Sequence, residues 1–349
     1  MCRGVDHAMT SAGSPVLQVF ELGSPWQTID PFLFVAHHVD DYPAGNDALG
    51  PDAPLDGRPL GQDFGNPAGW NMYHGTVVPG FPGHPHRGFE TVTFVCSGFV
   101  DHSDSVGASA RFGDGDTQWL TAGRGIVHSE MFPLLHRDRE NPLELFQIWL
   151  NLPAESKSAD PHFSMLWDGD TPTVTFDDDA GRTASVRVLA GTLGGATAPP
   201  PPPDSWASRP DTDVAIWNID LSAGVRWEIP SAAGTDTQRV LYVYDGAPVT
   251  IGGRPVTAGH GAVVDASMPL PVTGGADTTR ILLLQGRPIR EPVVSYGPFV
   301  LTDEAGVRQA FADYRRTGFG GWPWDDDGPV HSVDAGRFAR YPDGHVEKP

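Results

Sequence analysis

The sequence predicts an all-β fold of two tandem barrels followed by one C-terminal helix. Three observations carry this. Short apolar runs alternate with Gly/Asp turns through two long stretches of the 349 residues. Gly (42) and Pro (34) are abundant, as many short strands joined by tight turns require. A segment of the first half also recurs in the second.

Taken in order, residues 1–14 lack periodicity and read as a disordered lead. Residues 15–153 form the first barrel, with strand-like runs at 91–96, 117–120 and 143–150. Residues 154–213 read as a connecting segment, whose uninterrupted proline run at 199–203 marks a semi-extended linker. Strand-like runs return at 214–221, 239–244 and 280–285, giving a second barrel over 214–300. A helix is expected at 301–318. Thr302 can cap it, Asp303 and Glu304 suit its positive end, and Arg315 and Arg316 suit its negative end. Val307, Ala310, Phe311 and Tyr314 form a docking stripe, and Gly318 supplies a stop. Residues 319–349, acidic and rich in Gly and Pro, read as an irregular tail.

The repeat lays Thr121-Ala-Gly-Arg-Gly-Ile-Val-His-Ser-Glu130 over Thr257-Ala-Gly-His-Gly-Ala-Val-Val-Asp-Ala266, identical at five of ten positions. Upstream, Phe94-Val-Cys-Ser-Gly98 matches the pattern of Tyr242-Val-Tyr-Asp-Gly246. In this overlay His128 falls on Val264 and Glu130 on Ala266, while His84 and His86 fall on Ala232 and Gly234. The second copy would then keep the fold without those four polar residues, so their purpose is chemical.

Bulk properties narrow the function. With 44 acidic and 23 basic residues the net charge is −21, which repels nucleic-acid backbones and excludes direct DNA binding. Two cysteines, Cys2 and Cys96, give no basis for a structural disulfide. No apolar run reaches membrane-spanning length, and no signal-peptide stretch opens the sequence. The expectation is a soluble, cytoplasmic protein.

The chemistry lies in two residue pairs. In an extended segment, residues i and i+2 point to the same side, so His84 and His86 can face one interior. His128 and Glu130 repeat that geometry 42 residues beyond His86. Three imidazoles and one carboxylate suit Fe(II), Mn, Ni, Cu or Zn, with open positions for water, dioxygen or substrate. Ca and Mg prefer all-oxygen cages. Glu90, four residues past His86, keeps the same strand parity and competes with Glu130 as the acidic ligand or as its support. His37 and His38 read as core or pocket residues, and His74 and His102 as hairpin or pocket-wall residues. Cys96 reads as inward packing. Trp119, Phe94, Phe146 and Trp149 are core candidates able to line a slot for a flat ligand. Arg87 and Arg124 are turn or ion-pair residues able to steer an anion.

These residues reach a known family. His84-Pro-His-Arg-Gly-Phe-Glu-Thr-Val-Thr93 and Gly115-Asp-Thr-Gln-Trp-Leu-Thr-Ala-Gly-Arg-Gly-Ile-Val-His-Ser-Glu-Met131 closely resemble the signatures of pirins, in the cupin superfamily. Asp101-His-Ser-Asp104, Leu145-Phe-Gln-Ile-Trp-Leu-Asn-Leu152 and Glu291-Pro-Val-Val-Ser-Tyr-Gly-Pro-Phe299 extend the resemblance over about residues 15–316. It implies two cupin-type (double-stranded β-helix) barrels packed face to face, with one metal, Fe(2+) above the others, in the N-terminal barrel only. It also selects Glu130 over Glu90 and implies the ligands His84, His86, His128 and Glu130. The 44–69 region and the tail after residue 318 depart from the family pattern, at a pocket mouth or an interface.

Two functions follow from the resemblance. One is a quercetin 2,3-dioxygenase-type oxidoreductase acting on a flavonol or similar aromatic enol with dioxygen, where Glu130 shuttles the proton. The alternative is a non-catalytic, iron-dependent redox-sensing protein with a protein partner. An open cleft flanked by aromatics favours the first, and a capped metal favours the second.

Overall fold

The computed structural model describes residues 14–65 and 68–349, so the expected disordered lead lies outside the described residues except at its last position. Along the chain run β1 (Val16–Glu21), β2 (Phe32–Tyr42), β3 (Gly80–His86), β4 (Phe89–Ser97) and β5 (Phe99–Asp104). Next come β6 (Ser109–Gly113), β7 (Thr117–Thr121), β8 (Ile126–Met131), β9 (Asn141–Asn151) and β10 (His162–Leu166). β11 (Thr173–Asp177), β12 (Thr183–Ala190), the short β13 (Thr192–Leu193) and β14 (Ala196–Thr197), and β15 (Ala215–Leu221) follow. Then stand β16 (Arg226–Ile229), β17 (Gln238–Gly246), β18 (Val249–Ile251), β19 (Arg254–Val256), β20 (His260–Asp265), β21 (Leu270–Thr273) and β22 (Thr279–Gly286). β23 (Val294–Tyr296) and β24 (Phe299–Leu301) precede helix α1 (Glu304–Thr317), and β25 (Phe338–Arg340) and β26 (Val346–Glu347) come last.

Two compact units result, each a cupin-type barrel, and their boundaries differ from those expected. Among the described residues the first barrel comprises 24–171, 199–209 and 289–349, and the second 14–23, 172–198 and 210–288. The chain therefore crosses between them repeatedly. β1 pairs with β20, so the residues just after the lead belong to the second barrel. The supposed connector contains the strands β10 to β14. β10 pairs with β7, and β11 and β12 extend the second barrel's sheet. Ala184, Val186 and Val188 alternate inward along β12, a period-2 signal that the proline-rich neighbourhood obscured.

The first barrel is built of a five-stranded sheet, β10-β7-β4-β9-β2, and a six-stranded sheet, β26-β25-β6-β5-β8-β3. The second pairs a seven-stranded sheet, β1-β20-β17-β22-β15-β12-β11, with a four-stranded one, β16-β21-β18-β19. β3 to β9 thus match β16 to β22, strand for strand. Both β4 and β17 carry a bulge at the same place, between Val95 and Ser97 and between Val243 and Asp245. The Gly115 amide donates to Val95 O at 2.7 Å, and the Gly259 amide to Val243 O at 2.9 Å.

This register overturns the overlay of the two ten-residue segments. Gly259 corresponds to Gly115, at the turn leading into β7, and not to Gly123, at the turn leaving it. The same Gly-containing tripeptide serves two different turns, and identity alone could not tell them apart. The conclusion drawn from the overlay survives on other residues. β16 (Arg-Trp-Glu-Ile) and β21 (Leu-Pro-Val-Thr), which stand where β3 and β8 stand, contain no histidine. Moreover, Thr93, paired with Gln147 and Gln118, corresponds to Leu241, paired with Leu283 and Ala262. These three belong to the apolar core of the second barrel. A buried Leu stabilises by about 1.5–3 kcal/mol, a contribution the first barrel forgoes along that polar row.

Helix α1 forms where expected but starts at Glu304, three residues late, because Leu301 still belongs to β24. Asp303, and not Thr302, is the cap: its side chain accepts the Gly306 amide at 2.7 Å. Gly318 ends it at φ 55. Val307 and Ala310 are buried, and Phe311 and Tyr314 pack beside them against Phe299, Phe319 and Val127 of β8.

The tail is irregular over most of its length, but it is docked. β25 pairs with β6, the Gly83 amide donates to Asp327 O at 2.7 Å, and Trp324 Nε1 donates to Asp104 O at 2.8 Å. Arg111, fully buried on β6, explains the docking. Its guanidinium forms two 2.7 Å bonds to Asp101 and donates to the carbonyls of His331 (2.9 Å) and Ser332 (2.7 Å). Asp101 in turn accepts the His331 amide at 2.7 Å. Removing one partner of such a pair leaves a buried charge uncompensated. Arg111→Met is expected to lower stability by about 3–5 kcal/mol in urea denaturation.

Candidate metal centre

The site is assembled between the two sheets of the first barrel. β3 delivers His84 and His86 from one side of an extended strand, and β8 places His128 opposite His84. The ring centroids lie 4.4 Å (His84–His128), 4.8 Å (His84–His86) and 4.9 Å (His86–His128) apart. One nitrogen from each can lie within 4.8 Å of the others. Glu130 brings Oε2 to 3.9 Å from His128 Nε2. Its Oε1 accepts from the Thr93 hydroxyl at 3.0 Å and its Oε2 from Gln147 Nε2 at 2.7 Å. The three imidazoles therefore form one cluster, and Glu130 lies beside it, next to His128.

Burial sets their charge. It holds His84 down to about 4 and His86 and His128 well below the usual imidazole range, so all three are neutral donors. It raises Glu130 above the usual carboxylate range. His84 Nδ1 bonds Pro82 O at 2.9 Å, so Nδ1 carries the proton and Nε2 the lone pair. His128 is the sharper case. Neither ring nitrogen has a hydrogen-bond partner, and neither does His86 Nδ1, although all three atoms are buried. An unsatisfied buried polar atom costs about 1–3 kcal/mol. A divalent transition metal drawing on these lone pairs would remove part of that cost, and neutral imidazoles with one carboxylate are the donor set such ions take.

Glu90 faces elsewhere. The parity argument for it assumed one continuous strand from His86, but the chain turns at Gly88. That residue has φ +88, and a Cβ there would lie 2.0 Å from Val300 O. Lys157 clasps the same turn, donating to Gly88 O at 2.8 Å and Asn151 Oδ1 at 2.7 Å. Beyond it the alternation restarts, with Thr93 toward the cavity and Glu90 three residues away on the opposite face. There Glu90 accepts from the hydroxyls of Thr121 (2.6 Å) and Ser205 (2.5 Å).

A cavity of about 330 Å³ opens beside the imidazoles. Phe34, Phe81, Phe132, Leu145 and Trp149 form its apolar walls, and His38, Thr93 and Gln147 add polar atoms. Ser24, Pro25 and Phe64 are its exposed lining residues. Phe64 comes from the 44–69 region, which thus contributes to the cavity wall. That region is tied down by Arg58, which donates to Asp63 at 2.6 and 2.8 Å and stacks over Trp70.

Of the four aromatic candidates only Trp149 lines this cavity. Phe146 sits three residues before it on the other face of β9, stacked on His37, which bonds Glu144 at 2.9 Å. Phe94 stacks on Phe146, and Trp119 is fully buried. Cys96 is half-buried rather than inward, because the β4 bulge breaks the alternation there. Arg87 pairs with Asp313 and Arg124 with Asp160, so both are ion-pair residues. His74 is exposed on Gly61 O, while His102 is buried behind His128 against Asp104. Sequence reasoning missed Thr93, Gln147 and Phe34. The period-2 pattern through Trp149 and Gln147 on β9 was the available signal.

Two double-stranded β-helix barrels, one with clustered imidazoles, define a bicupin of metal-binding type. The chain belongs to the pirin family: the Pirin profile matches residues 16–150, and the Pirin C-terminal cupin domain matches 216–320. It is 34% identical over 236 residues to a Pseudomonas aeruginosa protein named "Putative quercetin 2,3-dioxygenase", covering 68% of this chain and 78% of that one. It is 36% identical to a pirin-like protein of Caulobacter vibrioides, covering 69% and 80% of the two chains. A crystal structure of quercetin 2,3-dioxygenase from Acinetobacter baumannii shares the fold, with TM-score 0.69 and 23% identity, over 89% of this chain and 99% of that chain. No helix among the described residues is long and apolar enough to cross a membrane.

Two outcomes are expected. His128→Ala should reduce bound metal to below about a tenth of an equivalent by elemental analysis, with an unchanged far-UV spectrum, since it removes a ligand and two unsatisfied atoms. Glu90 concerns pH. Burial raises it from 4.5 to about 7. The folded state then holds this proton more tightly, so stability is lost as pH rises from about 4.5 through 7. Below that window both states are protonated and the residue contributes nothing. Glu90→Gln should therefore gain stability over wild type at pH 8 by up to ~3 kcal/mol and show no such gain at pH 4, in paired urea titrations.

Proposed function

We propose that the protein is a quercetin 2,3-dioxygenase-type oxidoreductase acting on a flavonol or a similar aromatic enol. In this reading Fe(2+) is held by His84, His86, His128 and Glu130. The observation that carries it is the open cavity, with aromatic walls and a wall of imidazoles and carboxylate. Relatives bearing the quercetin dioxygenase name add support. When bound, the metal supplies Lewis acidity toward the enol hydroxyl and a site for dioxygen chemistry.

The chain's own residues do the rest. Phe34, Phe81, Phe132 and Trp149 sandwich a flat ring system and exclude water from the reacting end. Glu130 takes the enol proton. Thr93 and Gln147 hold the two oxygens of that carboxylate in place. The Thr93 hydroxyl has a single proton and also lies 2.6 Å from Gln147 Oε1, so it serves Glu130 and Gln147 alternately.

An iron-dependent regulatory protein without catalysis would be served by a capped centre. The cavity instead reaches exposed residues at Ser24, Pro25 and Phe64, which favours the enzyme. Iron-loaded protein mixed with quercetin should consume oxygen as the flavonol absorption band disappears, and His128→Ala should do neither. Absence of oxygen uptake by the loaded wild type would overturn the assignment.

A further inference from the structure

The cavity has a second polar feature, contributed by the other sheet. His38 on β2 lines it together with His84, His86 and Glu130. His38 Nδ1 lies 2.8 Å from the Tyr73 hydroxyl, and that hydroxyl lies 2.7 Å from Asp40 Oδ2. Asp40 is fully buried, and its Oδ1 accepts both the Asn71 amide (2.8 Å) and Asn71 Nδ2 (2.9 Å).

The directions of these bonds follow from counting protons. A carboxylate surrounded by donors only accepts, so the single hydroxyl proton of Tyr73 points to Asp40. The phenolic oxygen can then only accept from His38. Nδ1 must carry the imidazole proton, and Nε2 must carry the lone pair. Among the described residues nothing hydrogen-bonds to Nε2, and its ring lines the cavity. Burial, with His37 next to it, holds His38 down to about 4, so the ring stays neutral and acts as an acceptor rather than a store for a proton. A packing role alone would need only the edge contacts with Tyr73 and Phe81 and would not require a buried carboxylate behind them.

We infer that His38 Nε2 anchors a hydroxyl group of an aromatic ligand in this cavity, with Tyr73 and Asp40 as positioning residues that fix its tautomer. The inference rests on reading the cavity as an aromatic-substrate site. It narrows the ligand class to flat aromatics carrying two separated hydroxyls, one for the imidazole–carboxylate end and one for His38. Aromatics lacking the second hydroxyl would enter the same slot with less affinity and less fixed orientation.

The test uses a matched pair of probes, 2,6-dihydroxynaphthalene and 2-naphthol, titrated into the purified protein by calorimetry. Wild type should prefer the diol by about five- to tenfold. His38→Phe should abolish that preference while leaving 2-naphthol within about twofold, because shape is retained and only the acceptor for the second hydroxyl is lost. His38→Gln should recover most of it, and Tyr73→Phe should lose part of it. Equal weakening of both probes in His38→Phe would reduce the residue to packing and overturn the inference. So would a wild type without hydroxyl preference, or a preference that survives His38→Phe. Oxygen uptake with quercetin is scored separately: its absence alongside an intact, His38-dependent preference rejects the reaction and keeps the anchor.

Discussion

Burying imidazole and carboxylate lone pairs between two sheets is unfavourable unless each finds a partner, and the first barrel is organised around that constraint. Glu130 is met by Thr93 and Gln147, and His84 by Pro82 O. His128, wholly enclosed, has no hydrogen-bond partner on either ring nitrogen among the described residues. The strands that carry these residues are in turn fixed from behind. Lys157 holds the Gly88 turn, α1 packs on Val127, and the tail bonds Gly83. Rigidity here is what lets three neutral rings stay within a few ångströms of one another without collapsing into local hydrogen bonds.

The two sheets of the first barrel divide the work. The six-stranded sheet carries the histidines and Glu130, and the five-stranded sheet carries the groups that hold Glu130 and face the ligand. This division explains why Thr93, Gln147 and His38 matter although none has metal-ligand spacing in the sequence. Each sits on the cavity face of its strand, and each is tied to a partner that sets its direction. For His38 that partner is Tyr73, backed by a buried Asp40.

Much of the site was legible because it rests on short-range geometry. His84 and His86, like His128 and Glu130, share a face for the local reason that extended residues alternate. The helix was equally legible, down to Gly318, with its cap misplaced by one residue and its start by three. What failed depended on events between elements. The Gly88 turn reset the alternation and removed Glu90 from contention. The β4 bulge turned Cys96 away. The repeat was real, but a shared turn tripeptide placed it eight residues out of register, and only the ladder hydrogen bonds at Gly115 and Gly259 fix it. What stayed hidden about the tail is its anchoring, which comes from Arg111, a charge buried more than two hundred residues earlier in the chain.

The contrast between Thr93, Gln147 and Gln118 in one barrel and Leu241, Leu283 and Ala262 in the other bears on how such a centre is gained or lost over evolutionary time. Placing three histidines and a glutamate on β16 and β21 would not by itself transfer the cluster's environment. The recipient interior is already filled with hydrocarbon, which offers an ion neither solvent access nor a way to orient its carboxylate. Hollowing must come before, or together with, the acquisition of ligands, and each step of it weakens the core. Loss runs the other way: once the ligands are gone, every polar-to-aliphatic change along that row is stabilising. A duplicated barrel freed from binding therefore drifts toward a solid interior, and return becomes harder with each leucine.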